Sequence, residues 1–63
     1  MLVYFTDAIS GNKIAINPEY VTGVFLATDE EHKGKTVIAL LNGSFLVEES
    51  QIETVGVIQG ELK

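Results

Sequence analysis

The sequence predicts a mainly β fold: a small, strongly bent antiparallel sheet or open barrel of about five short strands, with one or two short helical turns. Short runs of β-branched, aliphatic and aromatic residues recur along the chain, as expected for strands. Clusters of Gly, Asn, Ser and Pro separate those runs and indicate tight turns. With 63 residues, the whole chain (residues 1–63) is expected to form a single small β domain.

The first two strands are predicted within residues 1–16. Residues 1–7 are rich in strand-favouring side chains, and Lys13–Ile16 follows as a second short run. Between them, residues 10–12 have the turn sequence Ser-Gly-Asn. We therefore expect these two strands to form a hairpin.

A break in the sheet is predicted after this hairpin. Pro18 lacks the N–H that a strand ladder needs, and Asn17 is suited to cap a helical turn that has proline at its first position. We expect one such turn over residues 18–21. The next strand-like segment, residues 20–28, contains Gly23, which indicates a bulge or a bend.

The strongest local signal is a β-hairpin within residues 35–49. Two apolar runs flank Asn42 and Gly43. An Asn-Gly pair favours a two-residue type I′ loop, because both positions of that loop need positive φ. A loop at these two residues places Leu40 opposite Phe45 and thereby sets the rest of the register.

Both sides of this hairpin are mostly apolar. One side is formed by Ile38, Leu40, Phe45 and Val47. The opposite side is formed by Val37, Ala39, Leu41, Ser44, Leu46 and Glu48. A small sheet that faces water on one side needs only one apolar side. We therefore expect the second apolar side of this hairpin to be shielded from water. We expect self-association through it, or through a strand edge, with Val37, Leu41 and Leu46 as the oligomer interface. The alternative is that the strands curl into a closed barrel and cover this side within the chain.

A helix is predicted to begin near Ser50. The sequence S-x-x-E places Glu53 three residues after Ser50, the pattern of a capping box. The helix is expected as far as Val55. Residues 55–58 are rich in β-branched side chains, so they either continue the helix or form a closing strand.

Charge and composition exclude several classes of function. Nine carboxylates oppose four lysines, there is no arginine, and the formal net charge is −5. Nucleic acid is not an expected partner, because phosphate binding relies on lysine and arginine. The longest apolar run spans only a few residues and no secretory signal is evident, so we expect a cytoplasmic protein without membrane insertion. The chain has no cysteine, which leaves oligomerisation as the usual support for so small a core.

Residues 29–32 are the only cluster with metal-ligand chemistry, three carboxylates followed by His32. Consecutive residues do not converge on one ion without a specialised loop, and the spacing of a calcium-binding loop is missing. We expect a solvated loop. The serines lack the G-x-S-x-G setting of a nucleophile, and no phosphate-binding glycine motif occurs. The sequence therefore predicts no enzyme, no metal and no cofactor.

Two acidic groups are expected to present a surface to a protein partner: Asp29, Glu30, Glu31, Glu48 and Glu49. The leading prediction is thus a non-catalytic interaction or structural protein. An acidic inhibitor or nucleic-acid mimic is the alternative. It requires the loop over residues 29–31 and the group Glu48, Glu49 and Glu53 to lie on one side of the molecule. A single-stranded nucleic-acid-binding module is less favoured, because the aromatic residues lack interleaved basic residues and are expected in the core.

Several short segments occur in an order and spacing that resemble a known family. They are residues 14–19 (I-A-I-N-P-E), 36–40 (T-V-I-A-L), 42–43 (N-G) and 47–50 (V-E-E-S). The chain resembles the FlbD/SwrD family of small flagellar-associated proteins over most of its length. The resemblance implies a shared small fold and a role as a flagellar-like or phage-like accessory protein, and it implies no catalytic residues.

Overall fold

The computed structural model describes residues 1–62, which form five strands, one 3-10 turn and one α-helix. In chain order these elements are β1 (Val3–Thr6), β2 (Lys13–Ile16), the 3-10 turn (Pro18–Tyr20), β3 (Val21–Leu26), β4 (Thr36–Leu40), β5 (Gly43–Val47) and α1 (Gln51–Leu62). The prediction of a mainly β fold with five short strands is confirmed. Within residues 1–62 the strands do not close into a barrel.

The strands form two antiparallel sheets that meet at one junction. β1 pairs with β2, and β3, β4 and β5 form a three-stranded meander. An isolated antiparallel bridge joins Asp7 to Val47, and the Ala8 N–H donates to the Leu46 carbonyl oxygen at 2.8 Å. The two sheets therefore continue as one bent surface in the strand order β2, β1, β5, β4, β3.

The core lies on the inner side of this bend. Ile38 and Val47 are completely buried, and Phe5 from the first hairpin lies in the same cluster. α1 adds Ile58, so both hairpins and the helix share one core. Burial of these side chains is the main favourable term for folding.

Three local predictions are confirmed. β1 and β2 form the first hairpin. The Asn17 side chain accepts a hydrogen bond from the Glu19 N–H at 3.0 Å, with Pro18 at the first position of the 3-10 turn. The register of β3 and β4 shifts between Val21 and Gly23, which is the predicted bulge.

The predicted register of the central hairpin is wrong by two residues. Leu40 pairs with Gly43, not with Phe45, and the two-residue turn consists of Leu41 and Asn42. Within residues 1–62, no residue other than glycine has positive φ, and Gly43 is not among the glycines that do. The turn is therefore not the type I′ loop that the Asn-Gly pair favours.

Each side chain lies on the same side of the sheet in the predicted and in the observed register. This is because the two registers differ by two residues, which is the side-chain period of a strand. Ile38 and Val47 are inward in both. In the observed register Val47 pairs with Thr36, and both are buried. The hydrophobic pattern cannot distinguish the two alternatives, so contacts beyond the hairpin decide between them.

The predicted helix start is confirmed, and the helix is longer than expected. The Ser50 hydroxyl oxygen accepts from the Glu53 N–H at 3.1 Å. α1 then continues past Val55 to Leu62, so the alternative of a closing strand over residues 55–58 is wrong. The β-branched Ile58 faces the core, and its burial outweighs the weak helix propensity of this segment.

We predict that replacing Thr54 with valine stabilises the fold. Thr54 is completely buried, and its hydroxyl has no hydrogen-bond partner within the described part of the chain. A buried polar group without a partner is costly, so Thr54→Val should raise the free energy of unfolding by about 1 kcal/mol. The measurement is the midpoint of urea unfolding.

Thr22→Val is the matched control, because the Thr22 side chain is exposed and its hydroxyl donates to the Ala39 carbonyl oxygen. This control should leave the midpoint unchanged or slightly lower. A lower midpoint for Thr54→Val would contradict the assignment of an unpaired hydroxyl.

Candidate functional site

The outer face, the side of the bent sheet that points away from the core, carries a continuous line of apolar side chains. Leu46 pairs with Val37, and Val37 pairs with Phe25. Ala8 lies beside Leu46 at the junction of β1 and β5. We call Ala8, Leu46, Val37 and Phe25 the apolar row.

Strand alternation positions this row. Ile38 and Val47 point into the core. Val37 and Leu46, which precede them in the sequence, therefore point outward. Phe25 is 50% exposed, and the other three side chains are partly exposed. α1 is the one helix in residues 1–62, and it packs on the inner side through Ile58, so it does not cover the row.

The three residues predicted as an oligomer interface do not all lie together. Val37 and Leu46 are direct cross-strand neighbours in the apolar row. Leu41 lies in the turn at the far end of the hairpin and is 74% exposed. The structure thus brings two of the three into one row and places the third away from it.

A polar belt borders the apolar row on one side. The Lys35 ammonium contacts a Glu48 carboxylate oxygen at 3.0 Å, and the Lys13 ammonium donates to the Thr6 hydroxyl oxygen at 2.9 Å. Glu49 reaches the same Thr6. We define the polar belt as Lys13, Thr6, Glu49, Glu48 and Lys35. Each charged side chain of this belt thus contacts another group of the same chain.

Glu49 acts as a structural carboxylate within this belt. Its two carboxylate oxygens accept from the Thr6 N–H at 2.9 and 3.2 Å, and the Thr6 hydroxyl lies 3.0 Å away. Burial raises the pKa of Glu49, but hydrogen bonds from the Thr6 backbone and hydroxyl and the nearby Lys13 charge outweigh it, and the net pKa is lowered. This carboxylate therefore fastens β1 to the segment that follows β5.

The acidic loop, residues 29–34, is organised around His32. His32 Nδ1 lies 2.9 Å from an Asp29 carboxylate oxygen, and His32 Nε2 lies 3.8 Å from a Glu31 oxygen. The hydrogen bond to His32 lowers the pKa of Asp29. Glu30 is exposed. Of the five residues predicted to form a partner surface, four are thus in contact with another side chain or backbone group of the same chain.

A cleft of about 360 Å³ lies between the end of the acidic loop and the start of α1. It is lined by Lys33, Gly34, Lys35, Thr36, Glu48, Glu49 and Ser50. Lysines stand between the two acidic groups here.

Among residues 1–60, whose side chains the structure describes, no three His, Asp or Glu side chains are placed to share a metal ion. No helix within residues 1–62 has both the length and the apolar character needed to cross a bilayer.

Comparisons with protein-family models, with curated proteins and with solved structures find no match for this chain. The resemblance to the FlbD/SwrD family stays a prediction from the sequence.

Sequence reasoning missed Phe25 and Ala8 as members of the site. Phe25 joins the row only through the pairing of β3 with β4, and the bulge at Gly23 hides that register in the sequence. Ala8 follows β1 and reaches the row through the junction with β5. Alternation of Phe25 with its neighbours was the one available signal that it faces outward.

We predict that Glu49→Gln destabilises the fold in a pH-dependent way. Near pH 7 the loss should be about 1 kcal/mol, because a partly exposed charged acceptor is replaced by a neutral one. The folded-state pKa of Glu49 lies below its ordinary value of 4.5. Its stabilising contribution is therefore complete above pH 4.5 and is lost as the pH falls through the lower folded-state pKa.

The measurement is urea unfolding of both proteins from pH 7 down to about pH 3. The difference between them should shrink as the pH falls. Glu30→Gln is the control, since Glu30 is exposed, and it should match the unmodified protein at pH 7. A Glu49→Gln difference that grows toward acid would contradict the role of this carboxylate.

Proposed function

We propose that this chain is a non-catalytic interaction protein that self-associates through its outer face and, as an assembly, binds a protein partner. The observation that carries the proposal is the apolar row, in which Phe25 is half exposed and Ala8, Leu46 and Val37 are partly exposed. Contiguous exposed apolar surface on a small domain is typical of a contact site.

The outer face is favoured over a strand edge because both edges are blocked. At the β3 edge, the Gln51 side-chain amide donates to the Val24 carbonyl oxygen at 3.3 Å, and the bulge at Gly23 distorts the strand. β2 is four residues long, carries Lys13 and is soon followed by Pro18. Short edges with lysine, proline or bulges resist pairing with another strand.

The size of the chain also supports association. A stable interface buries about 800 Å² on each partner, about a fifth of the 4278 Å² surface of this chain. Removing apolar surface from water contributes about 25 cal/mol per Å² before the costs of association are counted. For a chain of this length without disulfides, such a contact would add to the stability that a small core supplies.

The acidic surface supports the second part of the proposal. With a net charge of −5, the assembly would favour a partner that presents basic residues. A cytoplasmic setting belongs to this proposal. So does an accessory role of the flagellar-like or phage-like kind, which rests on the sequence resemblance.

We predict that Leu46→Glu converts the assembly into a monomer. A carboxylate at the centre of the apolar row would have to be buried without a partner when two copies meet. The measurement is molar mass by light scattering over a concentration series, together with circular dichroism to check the fold.

Ile52→Glu is the matched control, because Ile52 is 87% exposed on α1 and lies outside the apolar row. It should keep the mass of the unmodified protein. Should Leu46→Glu lose its fold, Phe25→Ser tests the same face at a side chain that is half exposed. A folded Leu46→Glu or Phe25→Ser variant of unchanged oligomeric mass would refute the proposal.

A further inference from the structure

We infer that the outer face is complementary to itself about a two-fold axis that runs along the strands between β4 and β5, so that its occupant is a second copy of this chain. This inference rests on the proposed function and deepens it, because it fixes how the two copies stack. Two independent patterns on the face, one of size and one of charge, support the same axis.

The first pattern is the order of side-chain sizes along the apolar row. From β1 to β3 the row reads Ala8, Leu46, Val37, Phe25, with its midpoint between β5 and β4. Rotation about an axis through that midpoint reverses the row of the second copy. Leu46 then lies over the partner's Val37. Phe25, which is large, lies over the partner's Ala8, which is small. Large side chains opposite small ones allow two sheet faces to interdigitate.

The second pattern is the placement of opposite charges at the border of the row. Lys35 and Glu48 stand opposite each other across β4 and β5, one residue beyond the Thr36–Val47 pair. The same rotation brings Lys35 over the partner's Glu48, and Glu48 over the partner's Lys35. Each Lys35 ammonium then lies near two carboxylates, its own Glu48 and the partner's Glu48. These charge-assisted contacts fix the register of the stack.

Other two-fold axes lack this match. An axis along β4 itself would place Lys35 over the partner's Lys35, which is a like-charge contact. An axis across the strands through the apolar row would lay Lys35 over the partner's Ala39 and Glu48 over the partner's Ser44, so neither charge would meet an opposite charge. Like-charge and charge-on-apolar contacts oppose association, so the axis between β4 and β5 is the one that the charge pattern selects.

The test uses two single substitutions, Lys35→Glu and Glu48→Lys. Alone, each should raise the dimer Kd about tenfold, since each homodimer then places like charges across the axis. An equimolar mixture should return the Kd to within about threefold of that of the unmodified chain, because an all-acidic face meets an all-basic one. The Kd is obtained from the concentration dependence of molar mass, with circular dichroism as the check of the fold.

Mixing separates the interface from the fold. Within each variant the Lys35–Glu48 pair is broken, and mixing does not restore it, so recovery must come from contacts between copies. The two substitutions also change the net charge in opposite directions. If only overall repulsion mattered, Glu48→Lys would associate more tightly than the unmodified chain, which would contradict the inference.

The outcomes distinguish this inference from the proposed function. An unmodified chain that stays monomeric at all concentrations contradicts both. A dimer whose Kd neither variant changes, or a mixture as weak as the single variants, contradicts the two-fold geometry and leaves association through the outer face standing. Loss in each variant with recovery on mixing supports the geometry.

Discussion

The junction of β1 and β5 is the contact on which the rest of the structure depends. A two-stranded hairpin is marginal in water by itself, and here the junction attaches one to a three-stranded sheet. The Thr6 carbonyl oxygen accepts from the Glu48 N–H at 2.9 Å, while the Thr6 N–H donates to the Glu49 carboxylate. The chain leaves β5 for α1 at this point, so a side chain replaces the missing strand partner. The same junction sets Ala8 beside Leu46 and so completes the apolar row.

Local chemistry in the sequence was enough to predict much of the fold. The cap at Asn17, the bulge at Gly23 and the helix start at Ser50 each depend on a few neighbouring residues, and each appears where it was expected. The central hairpin shows the limit of such reasoning. The preference of an Asn-Gly pair for a type I′ loop amounts to a small local free energy, and packing of β5 against its neighbours overrides it.

The candidate site was predictable only in part, for a related reason. Alternation within one hairpin was enough to place Val37 and Leu46 on an outward side. Phe25 belongs to another strand, and its place in the row depends on how β3 pairs across a bulge, which no local rule determines. The acidic groups illustrate the opposite error: counting carboxylates indicated a partner surface, but Glu49 is held by Thr6 and serves the fold. The carboxylates counted in a sequence do not reveal which of them already accept hydrogen bonds within the fold.

The central claim is that the apolar row is where two copies meet, and side-chain NMR over a concentration series tests it most directly. The methyl signals of Val37 and Leu46 and the ring signals of Phe25 can be followed from about 10 µM to about 1 mM, the range in which weak association appears. The account predicts that these three sets of signals shift together along one dimerisation curve, while the signals of the exposed helix residues Ile52 and Val57 stay constant. Constant signals from the row at every concentration, or shifts confined to the helix, would contradict it.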